Sequence, residues 1–340
     1  MKNILVLTKN FSTYSSGFYH NDIVEAIKLN SNCFIYGPGY PKYDTRDDIY
    51  QVLAKCTLPK IDAIICTTSW DDDNSQDNVD PHPSINLSSI VGIPKIYFLN
   101  KEYKKLKQRF EYAKKNSFDL ILTVHPAYQE WSQATGLNIC QFHFGINLER
   151  FQNHNLDREI DFVFSGGLHK VHTDERFIVK KKIFKEKYID RKSNLGLSNL
   201  TRKNFFIEEL ESYNIKWMEW GAKNYKYGSL LPTGKKYVSL LNRSKLVLNT
   251  PSAIGIFNTR FLEAMACGAV IMCPNNGNYN GIMKDEVNCV MYDPDLSNFI
   301  PKLKKVLTDN EYRAAISKAG MDCVEEHSYS TKIKKLILSL

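Results

Sequence analysis

Short apolar runs bounded by turn residues recur along the first half of the chain: Ile4 to Leu7, Cys33 to Tyr36, Ala63 to Cys66, Ile96 to Leu99, Leu120 to Val124 and Ile139 to Phe144. Their length and their lack of polar alternation are those of strands buried on both faces of a parallel sheet. Between them lie stretches with helical spacing, near Asn21 to Leu29, Asp47 to Lys55, Lys101 to Lys115 and Ala127 to Ala134. Strands alternating with helices predict a doubly wound α/β domain whose functional loops lie at the carboxyl ends of the strands. The first such loop, Ser12 to Gly17, is rich in small hydroxyl residues, an arrangement that faces a phosphate or a sugar.

From Gly145 to Glu159 the pattern breaks into GINLERFQNHNLDRE, which is polar and without apolar period, and reads as an inter-domain linker. The chain therefore divides into domains at 1–150 and 151–340. The second α/β series begins at Ile160, passes through a basic helical region from Lys180 to Lys192, gives a strand at Ile215 to Met218, and closes with helices near Asn298 to Leu307 and Glu311 to Val324. Its most informative part is Ser244 to Pro294. Leu246 to Leu248 form a buried strand, Asn258 or Thr259 can cap a helix, Phe261, Leu262 and Met265 recur at helical spacing, and Gly268 suits the left-handed residue that ends it. Arg260 and Glu263 then sit in the first turns of a helix following a parallel strand, where backbone N–H groups and the dipole favour an anionic ligand.

Composition narrows the classes. With 340 residues, 43% hydrophobic and 24% charged, the chain has the balance of an ordinary globular protein with room for two cores. No apolar run approaches the roughly 20 residues that span a bilayer, and MKNILVLTKNF is too short and strand-like for a signal peptide, so the expectation is a cytoplasmic protein. The 8 cysteines form no C-x-x-C pair, which favours buried reduced thiols over disulfides or zinc. The net charge of +8 is concentrated at Lys101, Lys104, Lys105, Lys107, Arg109, Lys114 and Lys115, and again from Lys180 to Lys192. Such faces either attract anionic lipid, lipid diphosphates or nucleic acid, or are simply solvated. On the first of them Tyr103, Leu106, Phe110 and Ala113 supply an apolar side, as a peripheral contact with an anionic membrane would need. Basic clusters aside, no nucleic-acid module is recognisable. Asp71, Asp72 and Asp73 could offer oxygen ligands to Mg²⁺ or Mn²⁺, yet they lie in a long polar loop of the first domain, away from the anion-binding segment, and no metal is expected. The histidines show no H-E-x-x-H spacing. The loop TKNFSTYSSG lacks the G-x-G-x-x-G turn of a Rossmann dehydrogenase.

The residues GINLERF resemble the inter-domain crossover of group 1 glycosyltransferases, and TRFLEAMACGAVIMCPNNGNYNGIMKDEVNCVMYDPD resembles their nucleotide-sugar segment. The spacing of Arg260, Phe261 and Glu263 after SKLVLN is most similar to the spore-maturation-protein-like branch. The resemblance implies a GT-B fold, two Rossmann-like doubly wound domains facing a central cleft, with the acceptor on the N-terminal domain and the nucleoside-diphosphate sugar on the C-terminal one. It implies that Glu263 accepts hydrogen bonds from ribose hydroxyls, with Asn258, Thr259 and Arg260 around it. It places Gly17 in a loop approaching the sugar diphosphate, Lys170 and Arg176 as cations neutralising the leaving diphosphate, with Arg176 favoured, and Asn100 where relatives have a cleft histidine. The family's earlier glutamate falls here on Gly255, which removes one donor contact.

These readings predict a metal-independent glycosyltransferase that needs no cofactor and moves a sugar from a nucleotide-sugar donor to a glycan, lipid-linked or protein acceptor, in surface polysaccharide or glycoconjugate synthesis. A sugar-nucleotide epimerase, or a non-catalytic polyanion-binding or scaffold protein of the same fold, remains open.

Overall fold

The computed structural model describes all residues except 13–17, 68–82, 84, 100–101, 103–104, 168–173, 193–197, 221–231, 253–254, 276–278 and 280. The chain forms two units, Met1–Glu149 with Glu325–Leu340, and Arg150–Val324.

The first unit carries strands β1 (Asn3–Leu7), β2 (Asn32–Tyr36), β3 (Ala63–Cys66), β4 (Lys95–Phe98), β5 (Leu120–Thr123) and β6 (Ile139–Gln141), and helices α1 (Phe18–Asn30), α2 (Ile49–Lys55), α3 (Leu106–Lys115) and α4 (Tyr128–Thr135). The sheet order is β2-β1-β3-β4-β5-β6 and the pairings are parallel. The continuous apolar runs are explained by burial on both faces: β1 gives Leu5 and Leu7 to one core and Ile4 and Val6 to the other. At α2, Asp48 accepts from the Gln51 N–H while the Gln51 side chain accepts from the Asp48 N–H, a reciprocal cap that fixes where the helix starts.

Helix α3 departs from its expected form. Arg109, counted above among a basic surface cluster, is fully buried, and Phe110, Tyr112 and Ala113 belong to the core. The apolar side of this helix faces inward. Its exposed residues are Lys107, Gln108, Glu111, Lys114 and Lys115, with Lys107 3.9 Å from Glu111. Lys101, Tyr103 and Lys104 lie outside the described residues.

The second unit contains β7 (Ile160–Gly167), α5 (Asp174–Ile183), β8 (Phe184–Lys192), β9 (Ser198–Phe206), β10 (Ile215–Trp220), α6 (Gly234–Asn242), β11 (Ser244–Leu248), α7 (Thr259–Ala266), β12 (Val270–Pro274), β13 (Val290–Tyr292), α8 (Phe299–Thr308) and α9 (Asn310–Glu326). A parallel sheet runs β10-β7-β11-β12-β13. The region expected to be a basic helix from Lys180 to Lys192 is helical only to Ile183. It then turns into β8, which pairs antiparallel with β9 as a separate two-stranded ribbon. Lysines tolerate either state, and the β-branched and aromatic residues of the ribbon favour the strand.

The second unit does not run through to residue 340. A helix unseen in the sequence, α10 (Tyr329–Leu338), returns to the first unit, where Tyr329, Ile333, Leu336 and Ile337 join the core of Ile4, Val6, Ile27 and Ile65. The Ser328 side chain caps it by accepting from the Thr331 N–H. The expected linker is therefore anchored at both ends. The Ile146 N–H donates to the His327 carbonyl and the Tyr329 N–H to that of Ile146. Arg158 donates to the carbonyls of Ser244 at 2.6 Å and Cys267 at 2.7 Å, so the polar composition of the stretch conceals one buried aromatic, Phe151, and one structural cation.

Candidate functional site

Asn249 and Thr250 directly follow β11, and α7 begins nine residues after Thr250. Asn258 is the residue that caps α7, and Thr259 is its first helical position. The Asn258 Oδ1 accepts from the Arg260 N–H at 3.2 Å and from the Asn249 Nδ2 at 3.0 Å, while its Nδ2 donates to the Thr250 carbonyl at 2.8 Å. One side chain thus ties the helix start to the strand end, and both amide atoms of Asn258 are used. The helix is held against the sheet by Phe261, Leu262 and Met265, all buried, each worth about 1.5–3 kcal/mol of transfer free energy. It ends as its sequence requires. Gly268 has φ +73, its N–H donates to the Met265 carbonyl, and a Cβ there would lie 2.6 Å from an Arg158 nitrogen.

The two arginines occupy different environments. Arg176 is 4% exposed, its Nε donates to Thr250 Oγ1 at 2.6 Å, its Nη1 donates to the Gly167 carbonyl at 2.7 Å, and its guanidinium lies 6.0 Å from the Phe164 ring. It fastens the end of β7 to the segment after β11. Arg260 is only half-buried, and its Nη1 donates to the Ser165 carbonyl at 3.1 Å. It crosses Gly166 so closely that a Cβ on that glycine would stand 2.3 Å from the same nitrogen. The cation that the sequence ranked first is structural in its contacts, and the one standing beside the helix N-terminus is Arg260.

Glu263 lies one turn further on, half-buried. The Tyr237 phenol of α6 is pushed well above its ordinary pKa by burial, then by the negative charge of Glu263, with Arg260 acting in the opposite direction. Cys267 is likewise raised to about 12 by burial and by Glu263. A carboxylate, a guanidinium and capped helix N–H groups are therefore gathered at the carboxyl end of a parallel sheet, where an anionic or hydroxyl-bearing ligand is met by fixed donors and one acceptor. Gly255, which replaces the expected glutamate, has φ +71 and no heavy atom within 4 Å of a Cβ built on it.

Asn249, Thr250, Gly166 and Tyr237 were not picked out from the sequence. The first two had a local signal, polar residues directly following a buried strand. Tyr237 had none. Gly17, Lys170, Asn100 and the run Asp71 to Asp73 lie outside the described residues. Among the described residues no group of three or more His, Cys, Asp or Glu could hold a metal ion.

In the first unit, a cavity of about 30 Å³ opens among Tyr19, His20, Thr67, Val124 and His143, enough for a water or two and not for a sugar ring. Glu102 is 7% exposed and accepts from Thr123 Oγ1 at 2.7 Å. Burial raises its pKa, opposed by the Thr123 hydrogen bond and more weakly by Arg109. It pins the segment after β4 to the end of β5.

Residues 202–337 match the glycosyl transferase-like family model, a span that includes all of α7. No curated protein matches the chain. Anabaena HepE in complex with UDP is similar over 100% of both chains, at 15% identity and a TM-score of 0.57. A sucrose-phosphate synthase from Thermosynechococcus elongatus is similar over 100% of this chain and 99% of its own, at 10% identity and a TM-score of 0.56. A glycosyltransferase from Rickettsia africae covers 99% of this chain and 97% of its own, at 10% identity and a TM-score of 0.58. With its two parallel Rossmann-like sheets, the chain has the GT-B fold of these glycosyltransferases.

Proposed function

We propose that the protein is a nucleotide-sugar-dependent glycosyltransferase whose donor binds at the start of α7. The observation that carries this is the capped α7 N-terminus with Arg260 and Glu263 on adjacent turns, inside the segment matching the glycosyl transferase-like family. In this reading Glu263 accepts from the vicinal ribose hydroxyls, and Arg260 with the α7 N–H groups meets the diphosphate. HepE complexes with UDP and UDP-glucose support a donor of this class. The acceptor oxygen bonds to the anomeric carbon as the bond from that carbon to the diphosphate oxygen breaks. The acceptor proton leaves, and the rate comes chiefly from positioning and from charge stabilisation on the diphosphate. The Arg260, Phe261 and Glu263 spacing keeps the spore-maturation-protein-like branch as the nearest by motif, and a glycan, lipid-linked or protein acceptor in surface polysaccharide synthesis as the setting. The eight cysteines, none of them in a disulfide, fit a reducing cytoplasm.

A thermal-shift screen with UDP, GDP, ADP and their sugars tests the reading. One of them should raise the melting temperature in a concentration-dependent way, and a flat response across the set would sink it. Gly166→Ala isolates the Arg260 contribution. Its Cβ would clash with the tip of a flexible side chain and make ordinary contact with the Phe164 ring at 3.5 Å, so folding should change little while donor affinity falls about fivefold to tenfold, read by calorimetry. Equal affinity would remove Arg260 from the diphosphate.

The leaving charge is met without a metal in this proposal, so turnover should survive EDTA. Activity abolished by EDTA and restored by Mn²⁺ would instead assign a role to Asp71, Asp72 and Asp73. Membrane association, if the acceptor is lipid-linked, would rest on the charges of Lys107, Lys114 and Lys115, because the apolar side of α3 is in the core. Pelleting with anionic vesicles should be weak and vanish at high salt, each lysine contributing about 1 kcal/mol. Pelleting that persists at high salt would point to another surface.

A further inference from the structure

At the edge of the first unit where β1 begins, the last turns of α1 and α10 meet Met1 and Lys2 around a groove of about 640 Å³. The two helices pack on each other, and the Asn30 Nδ2 donates to the Ala26 carbonyl at 2.8 Å and to the Ser330 carbonyl at 3.4 Å, which ties their ends together. Ile337, on the groove wall, belongs to the core. Three further apolar side chains of the groove stand in water: Met1 is 77% exposed, Leu29 64% and Leu338 75%. One such residue on a surface is ordinary, whereas three lining the same groove form a patch.

The cations lie on the same rim. Lys2 and Lys334 line the groove. On α10, Lys334 and Lys335 come four and three residues before Leu338 and so share its face, opposite the stripe of Tyr329, Ile333 and Leu336 that enters the core. Neither α10 nor the groove wall carries a carboxylate. Of the acids on neighbouring segments, Glu25 is paired with Lys28 at 2.8 Å, and Asp62 lies 3.6 Å from Lys60 and accepts from the Asn3 N–H at 2.9 Å.

We infer that this face docks on an anionic membrane surface, with Met1, Leu29 and Leu338 entering the boundary between headgroups and acyl chains while Lys2, Lys334 and Lys335 meet lipid phosphates. Charge complementarity selects this occupant. A second copy of the chain related by a two-fold axis would set Lys2 and Lys334 against their own counterparts, with no carboxylate in the groove between them. A bilayer offers phosphates to the rim and hydrocarbon to the leucines at once, the pair of signals that reversible peripheral binding needs. The exposed residues of α3 include lysines but no apolar side chain, so that helix can contribute charge alone. The inference is independent of the donor site on α7.

The test is co-sedimentation of the untagged protein, at low ionic strength, with vesicles of phosphatidylcholine alone or of an equal mixture with phosphatidylglycerol. Wild type should pellet with the mixed vesicles and not with the neutral ones. Leu29→Ser/Leu338→Ser should weaken partitioning about tenfold by removing apolar insertion, and Lys2→Glu/Lys334→Glu should weaken it about tenfold or more by reversing two charges. These side chains are exposed, so both variants should melt like wild type and keep its nucleotide-induced thermal shift. Lys107→Glu/Lys114→Glu/Lys115→Glu should cost less than either. Wild-type protein that ignores the mixed vesicles overturns the inference, as do patch variants that pellet like wild type. Binding abolished by the α3 variant alone would move the contact to α3. Self-association of wild type that Leu29→Ser/Leu338→Ser abolishes, without vesicle binding, would assign the groove to a second copy instead. A flat nucleotide response alongside patch-dependent pelleting would overturn the donor reading and leave this one standing.

Discussion

Glu263→Ala is expected to weaken donor binding by roughly tenfold to a hundredfold with the protein still folded. Charge-assisted hydrogen bonds to ribose are worth about 1.5–3 kcal/mol, and none of this is recovered by a methyl group. The folded state should tolerate the change. Glu263 is half-buried rather than core, alanine is the best helix former, and Phe261, Leu262 and Met265 continue to seat α7 on the sheet. Calorimetric titration of the folded variant with the nucleotide selected by thermal shift decides the matter. Wild-type affinity there would exclude Glu263 from the site.

Arg176→Met should act on stability first. The guanidinium is 4% exposed and donates to Thr250 Oγ1 and the Gly167 carbonyl, and methionine would fill part of the volume while leaving both acceptors without these donors. Leaving buried polar groups unpaired costs about 1–3 kcal/mol for each, so a net loss of roughly 2–4 kcal/mol is expected. For a unit of this size that is a fall in melting temperature of about 4–16 °C. Arg176→Lys should recover only part of it, because an ammonium cannot reproduce the planar fork that reaches two acceptors. Donor affinity should then decline through loosening of the β7 and β11 ends. A variant that melts like wild type yet loses the donor would restore Arg176 to direct contact with the diphosphate.

These two substitutions also mark the boundary between what was legible in the chain and what was not. The two parallel α/β series, the strand at Leu246 to Leu248 and the α7 helix with its start at Asn258 or Thr259 and its stop at Gly268 were legible in the sequence alone. Unbroken apolar runs have nowhere to go except between two layers, and caps are chemistry within a few residues. The charge of Arg109 could not reveal its burial, because a long cationic side chain occupies surface or core according to what packs around it. The basic ribbon of β8 and β9 was hidden for a related reason, since the helix preference of its lysines is weak and yields to pairing with a partner strand that local spacing does not reveal. Only the tertiary structure decided that α10 returns to the first unit: its apolar stripe of Tyr329, Ile333, Leu336 and Ile337 could serve any core, and complementarity with Ile4, Val6 and Ile27 selects this one. The same holds at the site. Asn258, Arg260 and Glu263 are one local motif, but Arg176 meeting Thr250 and Arg260 crossing Gly166 join residues 74 and 94 positions apart, and no periodicity encodes such meetings.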